Sequence, residues 1–474
     1  MIDPRLPLAL TLFTLAGCTR DTPAESAESR LLAEFQGSLA AEAPSGGRVR
    51  EYDLEAAESE TSLYEGAPRT RVWAYNGTVP GPTFRVKLGE TLRVRFRNRL
   101  PQPTTVHWHG VRVPNAMDGV PYLTQPPVEP GGEFVYEFAP KEAGTFWFHP
   151  HLRSSEQVER GLYGVLIVED AKPPPYDQDV AWVLDDWLLD GDGQVHGEFN
   201  TRHDLAHDGR WGGLVTVNGR SDTVLRVKSG ERVRLRLLNS ANGRVFKPDF
   251  AGLDARVIAV DGNYTRKPLP AEGFELAPGN RLDVELRFDQ PSSGPIELFD
   301  RFVERRPNRL ATILVDGVAD PRPAFPSPTK EKVPAWSDWA RAPLFHDFRL
   351  DARQGGQFGI EWTIDGKAFA GHEAHAHHEA ALKLPLGRFV RLRFTNASYR
   401  LHPIHLHGMF FRLLARDGRS VDEPFFRDTA LIHPKESIDI GVVPLDEGRW
   451  MMHCHILEHA EAGMMTTLEV AASP

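Results

Sequence analysis

Three stretches of the chain share one alternating pattern of apolar and charged positions. Each lies between a glycine and an asparagine nine residues later, and these pairs are Gly89–Asn98, Gly230–Asn239 and Gly387–Asn396. Such alternation gives a β-strand one apolar face and one charged face. The copies recur after 141 and 157 residues. Each copy therefore belongs to a unit of about 150 residues, a size compatible with a β-sandwich.

Short alternations of this kind recur along the chain, and few segments have the period of a helix. The 474 residues include 41 Gly and 38 Pro, which favours many turns and an all-β fold. Proline-rich segments at 173–175 and 320–334 separate the units. The sequence therefore predicts three consecutive β-sandwich domains, over residues 48–172, 173–320 and 335–474.

Charge and cysteine content narrow the function classes. The formal net charge is −10, and the chain has neither a basic stripe nor interleaved basic and aromatic residues. Nucleic acid is therefore not an expected partner. The chain has only two cysteines, Cys18 and Cys454, and neither requires a disulfide.

The first 18 residues have the pattern of an export signal. Arg5 precedes an apolar run at residues 6–16 that is too short to span a membrane. The run leads into Leu15-Ala16-Gly17-Cys18, which resembles the processing box of bacterial lipoproteins; the alternative is an ordinary signal peptide with a chance cysteine. Thr19 follows the cysteine, and by the same resemblance it disfavours retention at the inner membrane. We expect export to the periplasm, a lipid on Cys18 in the outer membrane, and a tether over residues 19–47.

Aligning the three copies on their final asparagine locates candidate metal ligands. Offsets of nine and eleven residues give a histidine pair in the first and third copies and non-ligands in the second. These positions are His107 and His109, His405 and His407, and Pro248 and Phe250. The outer domains are therefore expected to carry the ligands and to share a site across their interface, with the middle domain as a spacer.

Four histidine clusters carry the chemistry of the chain. A His-x-His pair places two imidazoles on one face of a strand, where they can bind neighbouring metal ions. One pair alone is weak evidence, because histidines are often satisfied on surfaces or in cores, but four clusters indicate a polynuclear site. They are His107-Trp108-His109, His149-Pro150-His151, His402-Pro403-Ile404-His405-Leu406-His407 and His453-Cys454-His455.

The cysteine between two histidines predicts two linked metal sites. Successive side chains of a strand point to opposite faces, so Cys454 points away from His453 and His455. Cys454, His459 and Met464 supply a thiolate, an imidazole and a thioether, with the types and spacing of a blue-copper centre. One strand would then touch two metal sites that are joined by covalent bonds through Cys454.

Together these motifs resemble the multicopper oxidases, specifically the three-domain bacterial laccase and cuprous-oxidase branch. The resemblance covers residues 65–470 and includes all four clusters. It implies three cupredoxin-like Greek-key domains and four copper ions per chain. The implied ligands are His402, Cys454, His459 and axial Met464 for the type 1 copper, His107 and His405 for the type 2 copper, and His109, His149, His151, His407, His453 and His455 for the type 3 pair.

The resemblance also implies an activity. Phenols or aromatic amines would each lose one electron near His459, and the electrons would pass through Cys454 to the trinuclear cluster, where dioxygen is reduced to water. Asp118 and Glu458 match acids assigned to proton delivery in bacterial relatives. The alternatives are a plain turn for Asp118 and a solvated surface carboxylate for Glu458. The implied partners are dioxygen and a small reducing substrate, and the chain is expected to be a monomer.

Other functions stay open at this point. The donor can instead be Cu(I) or Mn(II), as in a metallo-oxidase for copper tolerance, although seven methionines without a Met-rich insert argue against a dedicated cuprous oxidase. A copper-free structural protein of this fold would lack the ligands that this chain keeps. A copper-storage protein would not need the His-Cys-His link, and a copper nitrite reductase does not call for paired His-x-His clusters from two domains.

The remaining histidines have no firm interpretation. His372, His375, His377 and His378 form an insertion that the other repeats lack, interpreted either as a solvated loop with incidental metal affinity or as a copper-acquisition loop. Five further histidines fit no motif: His196, His203, His207, His346 and His433.

Overall fold

A computed structural model describes residues 25–38, 47–289, 294–320, 322–369, 371 and 379–472. This part of the chain forms six β-sheets, two for each repeat, so the predicted all-β fold of three consecutive sandwiches is confirmed. The proposed signal peptide with Cys18 and the insertion at 372–378 lie outside the described residues.

Helices are few and short in the described residues. The α-helices are α1 (Ala27–Gln36), α2 (Ser154–Glu159), α3 (Arg202–Ala206) and α4 (Leu457–Glu461), and two 3-10 turns lie at Asn115–Met117 and Trp339–Arg341. None of the helices described is long and apolar enough to cross a membrane.

The first sandwich contains eight strands. They are β1 (Val49–Thr61), β2 (Thr70–Tyr75), β3 (Thr83–Lys87), β4 (Thr91–Asn98), β5 (His107–His109), β6 (Glu133–Phe138), β7 (Gly144–His149) and β8 (Gly164–Glu169). One sheet has the order β2-β1-β4-β6 and the other β3-β8-β7-β5. In β4, Leu92, Val94 and Phe96 are buried, while the alternate arginines form surface ion pairs with glutamates. This strand therefore has the predicted apolar and charged faces.

The second sandwich contains ten strands. They are β9 (Gln178–Trp187), β10 (Leu214–Val217), β11 (Val224–Ser229), β12 (Arg232–Asn239), β13 (Pro248–Asp249), β14 (Asp254–Val260), β15 (Asn263–Pro270), β16 (Arg281–Arg287), β17 (Ile296–Asp300) and β18 (Asn308–Val318). Its sheets are β10-β9-β12-β16-β14-β15 and β11-β18-β17-β13. The charged face of β12 is not solvated, because Arg234 and Arg236 are buried and pair with Asp283. Arg236 also donates to Thr145 Oγ1 in β7, at 2.7 Å, which joins the first and second sandwiches.

The third sandwich contains eleven strands. They are β19 (His346–Gln354), β20 (Ile360–Ile364), β21 (Leu382–Pro385), β22 (Val390–Asn396), β23 (His402–Leu406), β24 (Phe411–Arg416), β25 (Arg419–Ser420), β26 (Thr429–Ile432), β27 (Ser437–Val442), β28 (Gly448–Cys454) and β29 (Met465–Ala471). Its sheets are β20-β19-β22-β27-β24-β25 and β21-β29-β28-β23-β26. The second sheet holds both β23 and β28, which brings two histidine clusters side by side.

The final asparagine of each repeat forms the same turn. Asn98, Asn239 and Asn396 are buried. In each, Nδ2 donates to backbone carbonyls of the following loop and of a distant segment, and Oδ1 accepts the N–H two residues later. The two strands that follow begin at different offsets from this asparagine, β5 nine residues after Asn98 and β23 six residues after Asn396, but His107 and His405 both lie nine residues after it.

Part of the segment that the sequence predicts to be a tether, residues 19–47, is a helix. Residues 27–36 form α1, and its Leu31 and Phe35 are buried against the third sandwich. Trp336 Nε1 donates to the Leu31 carbonyl and Trp336 N donates to Glu34 Oε1, both at 2.8 Å. Leu31 and Phe35 lie four residues apart and so share one helix face. The described part of this segment is therefore a docked helix.

Candidate metal centres

Strand register places Cys454 and its neighbouring histidine on opposite faces. β28 pairs antiparallel with β23, with Cys454 opposite Ile404 and His453 opposite His405. Cross-strand partners lie on the same face of a sheet. His453 therefore shares a face with His405, and Cys454 shares the other face with His402, two residues before Ile404. The alternation inferred from the His-Cys-His motif is present in the structure.

Three side chains form a compact triangle on the Cys454 face. Cys454 Sγ lies 3.6 Å from His402 Nδ1 and 3.8 Å from His459 Nδ1, and the two nitrogens are 3.3 Å apart. A point equidistant from the three atoms lies about 2 Å from each, close to metal–nitrogen and metal–sulfur bond lengths. Met464 is fully buried in the same core cluster as Cys454. Its backbone N–H donates to the His459 carbonyl at 2.9 Å, which folds the loop back over the site.

Burial sets the protonation of this triangle. It lowers the pKa of His459 to about 3 and that of His402 well below its usual value, so both imidazoles are neutral. Burial also raises the pKa of the Cys454 thiol, so a bound cation is required to hold it as a thiolate. Neutral imidazoles beside a buried thiol fit a soft copper ion.

Contacts behind the two histidines orient their rings. His402 Nε2 donates to Ser398 Oγ at 2.8 Å, and His459 Nε2 donates to the His207 carbonyl at 2.7 Å. The Trp362 ring centroid lies 4.1 Å from that of His459 and 5.0 Å from that of His402. These contacts leave each Nδ1 turned towards Cys454.

The burial of His459 bears on the expectation that a donor loses its electron near this residue. His459 is fully buried, and its outer nitrogen is covered by the His207 carbonyl. His207 had no assigned role, and it acts through its backbone, which no side-chain motif reveals.

The eight other predicted histidines converge between the first and third sandwiches. They come from β5, β7, β23, β28 and the residues that follow these strands, and each is at most 2% exposed. Ligand atoms within 4.8 Å of one another define three groups of histidines. The groups are His107, His109 and His405; His109, His149 and His455; and His151, His407 and His453. The predicted type 2 pair lies in the first group, and the six predicted type 3 ligands form the other two.

In addition to His453, whose Nδ1 donates to the Cys454 carbonyl at 2.8 Å, backbone carbonyls select one nitrogen of three of these rings. Nδ1 of His107 donates to the Asp118 carbonyl at 2.7 Å, Nδ1 of His149 to the Pro150 carbonyl at 2.9 Å, and Nδ1 of His405 to the Asp428 carbonyl at 3.0 Å. The Nε2 atoms of all three rings are buried and have no hydrogen-bond partner among the described residues. Such atoms are costly to bury unless a ligand occupies them.

The protonation state of the cluster histidines also suits metal binding. Burial lowers the pKa of five of its histidines: His109, His149, His405, His407 and His455. Neutral imidazoles present lone pairs, and imidazole suits copper. The residues present therefore fit a polynuclear copper site.

Asp118 joins two of the cluster histidines. It follows the 3-10 turn at 115–117 and is 1% exposed. Its carbonyl accepts from His107 Nδ1, and its Oδ2 accepts from His407 Nδ1 at 2.8 Å. Asp118 Oδ1 lies 3.4 Å from His107 Nδ1 and has no hydrogen-bond partner among the described residues. Asp118 therefore contacts two cluster histidines in addition to its place in the turn.

Glu458 lies at the junction of all three sandwiches and is fully buried, so the alternative of a solvated carboxylate is also wrong. Its Oε1 accepts from Asn242 Nδ2 at 2.7 Å, and the same amide donates to the Ser155 carbonyl. Burial raises the pKa of Glu458 to about 7. Its side-chain hydrogen-bond partner is Asn242, and no cluster histidine donates to it in the described structure.

Comparison with known proteins identifies the family. Multicopper oxidase profiles match residues 56–173, 178–295 and 348–474. The chain belongs to the multicopper oxidase family. Copper is therefore its cofactor.

Relatives of this multicopper oxidase match along most of their length. Multicopper oxidase MmcO of Mycobacterium tuberculosis is 30% identical, over 96% of this chain and 94% of that protein. A multi-copper oxidase from Pseudomonas thermotolerans, known by crystal structure, is 34% identical with a TM-score of 0.79, over 90% of this chain and 100% of that one. The laccase-like multi-copper oxidase CueO of the lignin-degrading bacterium Ochrobactrum sp. is 28% identical with a TM-score of 0.76, over 90% of this chain and 99% of that one.

The middle domain of this multicopper oxidase is more than the spacer that the sequence predicts. It supplies none of the described metal-binding groups, but Arg281 at the start of β16 donates to both carboxylate oxygens of Asp428, at 2.9 and 2.6 Å. Asp428 Oδ1 in turn accepts from His109 Nε2 at 3.1 Å. A Cβ atom at Gly279 would lie 2.9 Å from both His109 Cε1 and His455 Cδ2. The middle domain thus forms one wall of the cluster.

Proposed function

We propose that the protein couples one-electron oxidation of a phenol or aromatic amine to the four-electron reduction of dioxygen to water. The observation that supports this function is the register of β28 on β23, which makes Cys454 of one centre the covalent neighbour of His453 and His455 of the other. Bound copper would supply one-electron transfer at the cysteine site and open coordination positions for dioxygen at the histidine cluster.

The proposed ligand sets follow the three-sandwich geometry. His402, Cys454, His459 and Met464 would hold the type 1 copper, and His107 with His405 would hold the type 2 copper. The type 3 pair would be held by His109, His149 and His455 on one side and by His151, His407 and His453 on the other. Neutral, preoriented imidazoles support this assignment.

Two carboxyl groups are proposed to handle protons. Asp118 touches both His107 and His407, so a proton held on its Oδ1 lies at the edge of the cluster. Glu458 exchanges its proton near neutral pH because burial raises its pKa to about 7. Its contact is with Asn242, so we place it as a more remote proton carrier than Asp118.

A metal ion is a second candidate donor, supported by two histidines on the segment that covers His459. His203 and His207 are exposed at α3, and their ring centroids lie 4.3 Å apart. The His207 carbonyl accepts from His459 Nε2. Cu(I) or Mn(II) held by this pair would lie close to the mononuclear site.

Oxygen uptake by copper-loaded protein tests the function. The panel contains neutral and anionic phenols, an aromatic amine, Cu(I), Fe(II) and Mn(II). Uptake with the phenols or the amine supports the proposal, and faster turnover of Cu(I) or Mn(II) than of any aromatic donor supports the second candidate. If no donor supports uptake, the oxidase function is wrong.

The cysteine link has its own test. Cys454→Ser should abolish both the blue absorption and turnover while the histidine cluster keeps its copper. Turnover retained in Cys454→Ser would contradict the link.

We also propose that the chain is an exported, periplasmic monomer with domains at 48–172, 173–320 and 335–474 and a lipid on Cys18. Labelled palmitate should be incorporated in the parent and lost in Cys18→Ala. Incorporation that survives this substitution would rule out the anchor.

A further inference from the structure

A groove beside the mononuclear site is large enough for a small aromatic molecule. It has a volume of about 550 Å³ and lies between β19, β20, the loop at 397–400 and α3. Its walls include Ala352, Ile360 and Tyr399, and the Tyr399 side chain is 78% exposed. An exposed aromatic ring beside small apolar side chains is a surface on which another flat ring can stack.

The inner end of this groove touches the proposed type 1 ligands. Trp362 and Ser398 line it, and both are buried. Trp362 packs on His459 with ring centroids 4.1 Å apart, and Ser398 Oγ accepts from His402 Nε2 at 2.8 Å. A donor in the groove would therefore be one side chain away from both histidines, whereas direct access to His459 is covered by the His207 carbonyl.

The rim of the groove carries two cations. Lys435 Nζ lies 3.7 Å from the centroid of the Tyr399 ring and donates to the Ala397 carbonyl. Within the described residues Lys435 has no carboxylate in ion-pair range, and Arg400 reaches Asp208 only at 3.9 Å.

The other charges of the groove are paired. Asp351 accepts from Arg349 at 2.8 Å, and Arg353 donates to Glu361 at 2.6 Å. The lining has no His, Cys or Met, so it lacks the ligands that Cu(I) prefers. The unbalanced charge at the groove is positive, which suits an anion.

We propose that this groove binds an aromatic donor that carries a carboxylate, a phenolic acid of the hydroxycinnamate kind. Its ring lies against Tyr399 at the Trp362 end, and its carboxylate lies between Arg400 and Lys435. The inference rests on the proposed oxidase function. Each of four donor molecules loses one electron and its phenolic proton and leaves as a phenoxyl radical. One dioxygen takes up the four electrons and four protons and forms two waters.

Binding of a redox-inert analogue tests the site apart from turnover. Calorimetry measures binding of 4-methoxycinnamate to the copper-loaded protein, with its methyl ester as the uncharged comparison. Arg400→Gln and Lys435→Gln should each weaken binding of the acid by up to about fivefold, since a single exposed charge pair contributes at most about 1 kcal/mol. The double variant should weaken it about tenfold. Lys228→Gln, which removes an exposed lysine on β11 of the second sandwich, is the matched control.

Turnover gives the second readout. With 4-hydroxycinnamate and its methyl ester as donors, the double variant should raise the KM of the acid about tenfold relative to that of the ester. Tyr399→Ala should weaken binding of acid and ester alike, because both use the ring. The proposal is overturned if Lys228→Gln weakens acid binding as much as Lys435→Gln, or if the double variant leaves the acid-to-ester ratio unchanged. Charge-dependent binding without oxygen uptake would support the groove as a binding site and contradict the proposed oxidase function.

Discussion

Asp428→Asn should remove copper from the histidine cluster while the mononuclear site stays loaded. Asp428 and Arg281 are both fully buried and share two hydrogen bonds. Burial acts to raise the pKa of Asp428, but the charge of Arg281 and hydrogen bonds from His405 and Arg281 outweigh it, so the pKa is lowered. The carboxylate is therefore ionised, and it holds His109 through Nε2.

The size of the effect follows from this geometry. Removing one charge of a buried ion pair costs about 3–5 kcal/mol. Asp261 Oδ1 remains 3.7 Å from Arg281 Nη1 and neutralises part of its charge, so we expect the lower end, about 3 kcal/mol. Loss of the carboxylate behind a ligating histidine should lower copper affinity about 10–100-fold.

Three measurements on the purified variant check this prediction: copper per chain, the electron paramagnetic resonance of the type 2 copper, and urea unfolding. The blue absorption should persist, because Asp428 makes no hydrogen bond to His402, Cys454 or His459 in the described structure. Asp316→Asn is the control, since its pair with Arg226 is exposed and should change stability by less than about 1 kcal/mol. Full copper content together with parental stability in Asp428→Asn would refute the reasoning.

Three further substitutions test other parts of the structure. Gly279→Ala should lose cluster copper, because the new Cβ would contact His109 and His455. Gly273→Ala is the control, since Gly273 also has a positive φ but has no atom within 4 Å of the new Cβ. Equal copper loss in both variants would indicate backbone strain as the cause. The pKa of Glu458 is raised to about 7 from 4.5, so the folded state holds the proton more tightly. The free energy of unfolding of the parent should therefore fall by about 3 kcal/mol as pH rises from 4.5 to above 7. Urea unfolding at pH 5 and pH 8 should show a smaller difference in this free energy for Glu458→Gln than for the parent. Leu31→Ala should weaken docking of α1 by about 2–5 kcal/mol and so speed limited proteolysis of the N-terminal segment. Leu32→Ala is the control, because Leu32 is partly exposed. A proteolysis rate for Leu31→Ala no faster than that for Leu32→Ala would contradict the prediction.

Local patterns predict much of this architecture. The alternation around Asn98 and Asn396 determines the strand and its faces, and the buried asparagine forms the same turn after each of these strands. Strand geometry alone then separates Cys454 from His453. These features depend on residues that are close together in the chain, so they can be predicted from the sequence.

Contacts between distant segments were not predictable in this way. The pairing of Arg281 with Asp428 joins residues 147 apart in the chain, and each is an ordinary charged residue in its own segment. The His207 carbonyl acts 252 residues from His459 through an atom that every residue possesses. The docking of α1 depends on Trp336, which a local reading of an Ala- and Glu-rich segment does not include.

The spread of the cluster ligands along the chain has a mechanical consequence. His109 and His455 belong to one group, although they lie 346 positions apart in the chain of 474 residues. A metal ion bound by both is a cross-link that closes a loop of about 350 residues, and such a closure restricts the unfolded chain by about 5–6 kcal/mol. Cys454 is a free thiol, so the described chain uses no disulfide for this purpose. Copper bound by both residues would therefore link the first and third sandwiches, and calorimetric unfolding of the copper-free protein should show the three sandwiches unfolding separately.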